Sequence, residues 1–136
     1  MKKYILFDLD GTLTDPKVGI TKSVAYALNK FNIKVDNLDE LCKFIGPPLK
    51  DAFMEYYNFT EEESEEAIKY YRDYFSEIGI YENIVYEGLE EMLKLLNDKN
   101  KICIVATSKP TVFAVKILEH FNLNRYFSFI CGSNID

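Results

Sequence analysis

Short apolar runs alternate along this chain with stretches of helical periodicity. Ile5-Leu6-Phe7 is a run of consecutive apolar residues, which suits a buried parallel strand over residues 4–8. Ile20, Val24, Leu28 and Phe31 then recur at helical spacing and predict a helix from about 18 to 31. Leu38, Leu41, Phe44 and Ile45 predict a short helix over roughly 38–45. Gly46-Pro47-Pro48 is a hard break, with Pro48 suited to the first turn of a helix carrying Leu49, Phe53 and Tyr57. Thr60 and Glu63 form a capping-box signature for a helix to about 77, in which Ala67, Tyr71, Tyr74 and Ile78 share a side. The acidic run 61–66 is then a solvated helix start.

From 83 onward the pattern changes. Leu89, Met92, Leu93 and Leu96 mark an amphipathic helix over about 88–98. Residues 102–106 are a second buried strand, ending in Thr107-Ser108-Lys109-Pro110. A helix to about 122 turns Ala114, Val115, Leu118 and Phe121 inward, and 127–131 is a third strand. Turn residues 132–136 follow. Strands alternating with helices in this way run parallel. The expected fold is therefore α/β: a Rossmann-like parallel sheet from 1–15 and 83–136, with an all-helical insert over 16–82.

Composition adds bounds. The chain has 136 residues, 48% hydrophobic and 28% charged, so it is long enough for one globular domain or a small domain with an insert. A net charge of −6 disfavours nucleic acid and anionic membranes as partners. Three scattered cysteines without C-x-x-C spacing read as buried, reduced thiols. No signal peptide or membrane-spanning run is visible, and the expected location is cytoplasmic.

The chemistry gathers after the first strand. Asp8 and Asp10 lie one residue apart, where open α/β sheets place ligands, and extended chain would turn both to one side. Read alone, the pair is equally an acidic Asp-Gly turn. Thr107 ends the second strand, and its hydroxyl with the following N–H groups could form an anion pocket or simply cap a helix.

The whole string Phe7-Asp8-Leu9-Asp10-Gly11-Thr12-Leu13-Thr14-Asp15 resembles the nucleophile motif of the haloacid dehalogenase superfamily of phosphatases and phosphomutases. Val105-Ala106-Thr107-Ser108-Lys109-Pro110 is similar to its second motif. Phe44-Ile45-Gly46-Pro47-Pro48-Leu49 and Tyr86-Glu87-Gly88 resemble cap segments of the phosphoglycolate-phosphatase-like branch. The resemblance implies a helical cap and hydrolysis of a small phosphorylated metabolite, phosphoglycolate-like or a nucleotide. It implies Asp8 as nucleophile, passing through an aspartyl phosphate, and Asp10 as acid and base. Mg2+ would be held by the Asp8 carboxylate and the Asp10 carbonyl. Thr107, Ser108, Gly11 and Thr12 would bind the phosphoryl group. An acid at position 10 speaks against a dehalogenase, which releases halide without one.

The family's third motif, a Lys, and its fourth, an acidic cluster, have no counterpart as far as Asp136; Lys109 directly follows the second motif and is not that Lys. The expectation is a poor or inactive phosphatase in this chain alone. Its first strand would become a sheet edge, to be covered by a second copy or by a further C-terminal segment. A phosphomutase and a non-catalytic binder of phosphometabolites or partners are the rival readings.

Overall fold

The structure, a computed structural model, describes residues 3–134. The last two positions of the closing turn lie outside them. The chain divides into two compact units: one runs to Asp15 and resumes at Ile84, and the other is Pro16–Asn83.

The first unit holds a three-stranded parallel sheet of β1 (Tyr4–Phe7), β4 (Ile102–Pro110) and β5 (Phe127–Ser133), in the order β1-β4-β5. Helix α4 (Leu89–Asp98) leads into β4, and α5 (Thr111–His120) links β4 to β5. Two right-handed crossovers stepping in one direction put both helices on the same face. That face carries Cys103, Val105 and Phe127, all buried, with Phe7 edge-on to Phe127 at 5.9 Å.

The other face is open. Tyr4 and Leu6 are 60% and 68% exposed, and Phe129, in register with Leu6 through Ile104, is 59% exposed. The first strand is therefore parallel and paired on one side, as its composition suggests. It is not buried: its other edge and one face lack cover among the described residues. A two-stranded antiparallel ribbon closes this unit where the chain leaves and returns, pairing β2 (Thr14–Asp15) with β3 (Ile84–Val85). Two-residue strands carry too little periodicity to be seen in a sequence.

The second unit is helical throughout. It contains α1 (Lys17–Asn29), a 3-10 segment Leu38–Phe44, α2 (Leu49–Tyr57), α3 (Glu61–Phe75) and a 3-10 turn Gly79–Tyr81. The capping box at Thr60 is complete: its hydroxyl accepts the Glu63 N–H at 3.1 Å, and the Glu63 carboxylate accepts the Thr60 N–H at 2.9 Å. Asn58, at φ +55°, ends α2 in the left-handed conformation Asn tolerates. Phe44, Phe53 and Phe59 interlock at ring distances of 5.0 and 5.7 Å, and Phe31 meets Phe59 at 4.7 Å. Here α1 passes the 3-10 turn at a glycine–glycine crossing. A Cβ on Gly19 would collide with the Gly79 carbonyl, and one on Gly79 would sit 2.5 Å from Ser23 Oγ.

Candidate active site

The turn after β1 is built around a carbonyl. The N–H groups of Thr12, Leu13 and Thr14 all converge on the Leu9 oxygen, at 3.2, 2.9 and 3.2 Å. Gly11 sits at φ +82°, a conformation that other residues adopt only with strain, and its N–H donates to the Thr14 carbonyl at 2.8 Å. Leu9 and Leu13 are fully buried and anchor the turn from below. The Gly11 and Thr12 N–H groups thus serve the turn itself in this structure.

The turn displays two carboxylates. Asp8 is exposed, and its Oδ1 accepts the Leu9 N–H at 2.8 Å. Asp10 is half-buried. Its Oδ2 lies 3.2 Å from Lys109 Nζ, and its Oδ1 is closed off from solvent without a hydrogen-bond partner. Burial pushes the Asp10 carboxyl above its ordinary range; Lys109 opposes this, and the Asp8 charge adds to it. The two carboxylates are therefore electrostatically in touch, while only Asp10 is held in a dry setting.

Across the sheet, β4 does not stop at residue 106. Its pairing with β5 shifts register after Ala106 and resumes at Pro110 opposite Ser133. Helix α5 starts at Thr111, with Pro110 at its N-cap position. Thr107, Ser108 and Lys109 thus belong to extended chain rather than to a helix start, which corrects the position expected from the sequence. The Thr107 hydroxyl accepts the Lys109 N–H at 3.1 Å, while Ser108 is exposed. Residues that the sequence offered only as a closing turn hold this segment. Ser133 Oγ donates to the Ser108 carbonyl at 2.9 Å, and Gly132 N–H donates to Thr111 Oγ1 at 2.9 Å. Gly132 passes so close that a Cβ would collide with the Lys109 carbonyl.

Lys109, which directly follows the second motif and is not the family's third-motif Lys, has a side chain only 8% exposed. Asp15 is taken up in β2, Lys50 pairs with Glu61 and Glu65, and His120 is exposed with its ring against Phe121. Among the described residues, no three His, Cys, Asp or Glu side chains cluster as a ready metal site. The oxygen donors at Asp8 and Asp10 nonetheless suit magnesium, a hard cation that takes one or two carboxylates and fills its shell with water and substrate oxygens.

Similarity to known proteins agrees with this geometry. The chain is 49% identical over 132 residues to a 5'-nucleotidase of Pseudomonas aeruginosa, covering 97% of this chain and 60% of the relative. It is 36% identical over 134 residues to the tyrosine-protein kinase PtkA of Mycobacterium tuberculosis, covering 98% of this chain and 45% of that protein. Phosphoglycolate phosphatase 1 of Pseudomonas aeruginosa also matches, at 26% identity over 98% of this chain and 52% of the relative. A crystal structure described as a predicted phosphatase from Clostridium acetobutylicum superposes with a TM-score of 0.90 and 60% identity, over 98% of this chain and 62% of that one. The chain thus spans between about half and two thirds of the length of these proteins. The haloacid dehalogenase-like hydrolase pattern matches residues 5–135, from β1 through the last strand. With both motifs in place at the carboxyl ends of neighbouring parallel strands, this chain belongs to the haloacid dehalogenase-like hydrolase family.

Proposed function

We propose that this protein hydrolyses small phosphomonoesters, with Asp8 as nucleophile and Asp10 as acid and base. The observation that carries this reading is the pairing of unlike carboxylates on one turn. Asp8 is exposed, and Asp10 is half-buried and raised toward the protonated form, first by its burial. Asp8 would attack phosphorus and become an aspartyl phosphate while Asp10 protonates the departing ester oxygen. Asp10, now a carboxylate, would then take a proton from the water that releases phosphate. The Thr107 hydroxyl and the exposed Ser108 would meet phosphoryl oxygens, as the second motif implies. Magnesium, held by the Asp8 carboxylate and the Asp10 carbonyl, would supply charge compensation for the phosphoryl oxygens.

Nucleoside monophosphates and phosphoglycolate-like esters are the substrates supported by the names of the relatives. The helical unit would serve as the family's substrate-screening cap, and the setting would be the cytoplasm. The test is release of inorganic phosphate from a nucleoside monophosphate in the presence of magnesium. Asp8→Asn should lower it by more than about a thousandfold. Substrate binding by the unaltered protein without turnover would instead support a non-catalytic binder. A second reading keeps both carboxylates but passes the phosphoryl group to a hydroxyl other than water. The similarity to a protein named as a tyrosine kinase favours it. Phosphate recovered on an added hydroxyl acceptor rather than free in solution decides for that reading.

A further inference from the structure

One groove in the helical unit departs from the acidic character of the chain. Helix α1 ends at Asn29, and the chain turns through Asn32 at φ +61°, with the Ile33 N–H donating to the Leu28 carbonyl at 3.0 Å. Ile33, Lys34 and Val35 then share a groove of about 320 Å³ with Tyr26 and Asn29 of α1 and Tyr74 of α3. That volume suits a small molecule. Ile33 and Val35 are half-buried, as are Tyr26 and Tyr74, whose ring centroids lie 5.6 Å apart. No carboxylate lines the groove, although the chain carries 22 acidic against 16 basic residues. Its two lysines differ. Lys22 is held by Glu82 at 3.1 Å, and Glu82 also accepts the Tyr74 hydroxyl at 2.8 Å, so that charge is spent. Lys34 is exposed and has no ion pair among the described residues. The carbonyls of Ala27, Leu28 and Asn29 accept the N–H groups of Lys30, Phe31 and Asn32, so the end of α1 offers little bare negative charge to offset it.

We infer that this groove binds a small aromatic carboxylate, at a site that shares no residue with the turn carrying Asp8 and Asp10. The ring of the ligand packs against Tyr26, Tyr74 and the aliphatic side chains of Ile33 and Val35. Its carboxylate pairs with Lys34, with the Asn29 amide as a second donor lining the groove. One uncommitted ammonium matches one negative charge. A phosphate dianion would leave a charge uncompensated in a chain of net charge −6, so a monoanion fits better. Tyr26 belongs to α1 and Tyr74 to α3, so a ring seated on both ties the two helices together. Binding to the folded helical unit alone stabilises it by mass action.

The experiment titrates 2-naphthoate into the full chain without magnesium and follows the backbone amides by NMR. Saturable shifts are expected at Asn29, Ile33, Lys34 and Tyr74, with half-saturation on the order of 0.1–1 mM. The neutral 2-naphthamide, of the same shape, should bind about fivefold more weakly, and Lys34→Met should weaken 2-naphthoate by about the same factor. Lys34 is exposed, so this variant keeps the fold. Tyr26→Leu keeps an apolar wall but removes the ring, and should weaken both ligands alike. Equal binding of the acid and the amide to the unaltered protein overturns the inference, because an apolar cleft without a charge preference gives that result. Unchanged affinity in Lys34→Met overturns it as well. So do shifts that fail to saturate, and shifts that fall on the open face of the sheet or on the turn after β1 instead of on the groove.

Discussion

The helical unit and the sheet unit bury their apolar residues to very different degrees. In the helical unit, Val24, Ala27, Leu28, Leu41, Phe53 and Ile80 are fully buried. In the sheet unit, Cys103 and Val105 are as well covered on one face, while Leu6 and Phe129 on the other meet solvent. The difference follows from how each element hides its backbone and side chains. A helix satisfies its hydrogen bonds internally and needs cover along one stripe, so a few helices enclose one another. A parallel strand needs a neighbour at each edge and a layer on each face. Helices α4 and α5 supply one layer, and β4 supplies one neighbour for β1. A row running from exposed Leu6 through half-buried Ile104 to exposed Phe129 is the kind of apolar patch that marks an interaction surface.

The contrast is sharpest in paired truncations. Phe53→Ala removes a ring stacked on Phe59 and tilted against Phe44 and should destabilise the helical unit by about 3–5 kcal/mol. Leu6→Ala removes a side chain of similar hydrophobicity from the open face and should change stability by less than about 0.5 kcal/mol. Urea unfolding followed by amide exchange in α2 and in β4 separates the two. A large cost at Leu6 would mean that the open face is covered in solution, and the comparison between units would then break.

Glycine contacts offer the next largest effect, one in each unit. Gly19→Ala drives a methyl into the Gly79 carbonyl, and Gly132→Ala drives one into the Lys109 carbonyl. Each obstacle is backbone, so each should cost about 1–3 kcal/mol. The consequences should diverge. Gly19→Ala should loosen α1, read as faster amide exchange there. Gly132→Ala should shift Lys109 and weaken its grip on Asp10, read as lost protection of the Lys109 ammonium.

These glycines also show what was legible in the sequence. The order of strands and helices could be read because each carries its own period, and Thr60 with Glu63 fixed a helix start to the residue. The segment Leu38–Phe44 was readable as helical but not as 3-10, although Leu38, Leu41 and Phe44 recur at intervals of three, the spacing at which 3-10 side chains eclipse. Gly19, Gly79 and Gly132 gave no warning, because a close approach depends on what arrives from a distant part of the chain. The site divides in the same way. Asp8, Asp10 and Thr107 stand out by motif. The reach of Lys109 to Asp10 depends on the register shift between β4 and β5, which extends residues 107–110 instead of winding them into α5.

A smaller effect comes from the cap of α3. Thr60→Ala leaves the Glu63 N–H without its acceptor and should cost about 1 kcal/mol, visible as faster amide exchange in the first turn of that helix and nowhere in the sheet unit.

The last prediction is silent at neutral pH and confined to the helical unit. Tyr74 donates its phenolic hydrogen to Glu82 at 2.8 Å, and the same carboxylate pairs with Lys22 at 3.1 Å. Burial, then the hydrogen bond and charge of Glu82, push the Tyr74 hydroxyl up from 10.0 to about 12. The fold therefore favours the protonated phenol. That contribution is whole below pH 10, where folded and unfolded chains both keep the proton, and is lost as pH rises from 10 toward 12 and the unfolded chain ionises first. Tyr57, also raised by burial and by Glu40, adds to the loss in the same direction. Tyr74→Phe should flatten this alkaline decline in α3 without changing amide exchange in β4. A decline of equal steepness in both units would mean that they unfold together, and the independence on which the comparison rests would be gone.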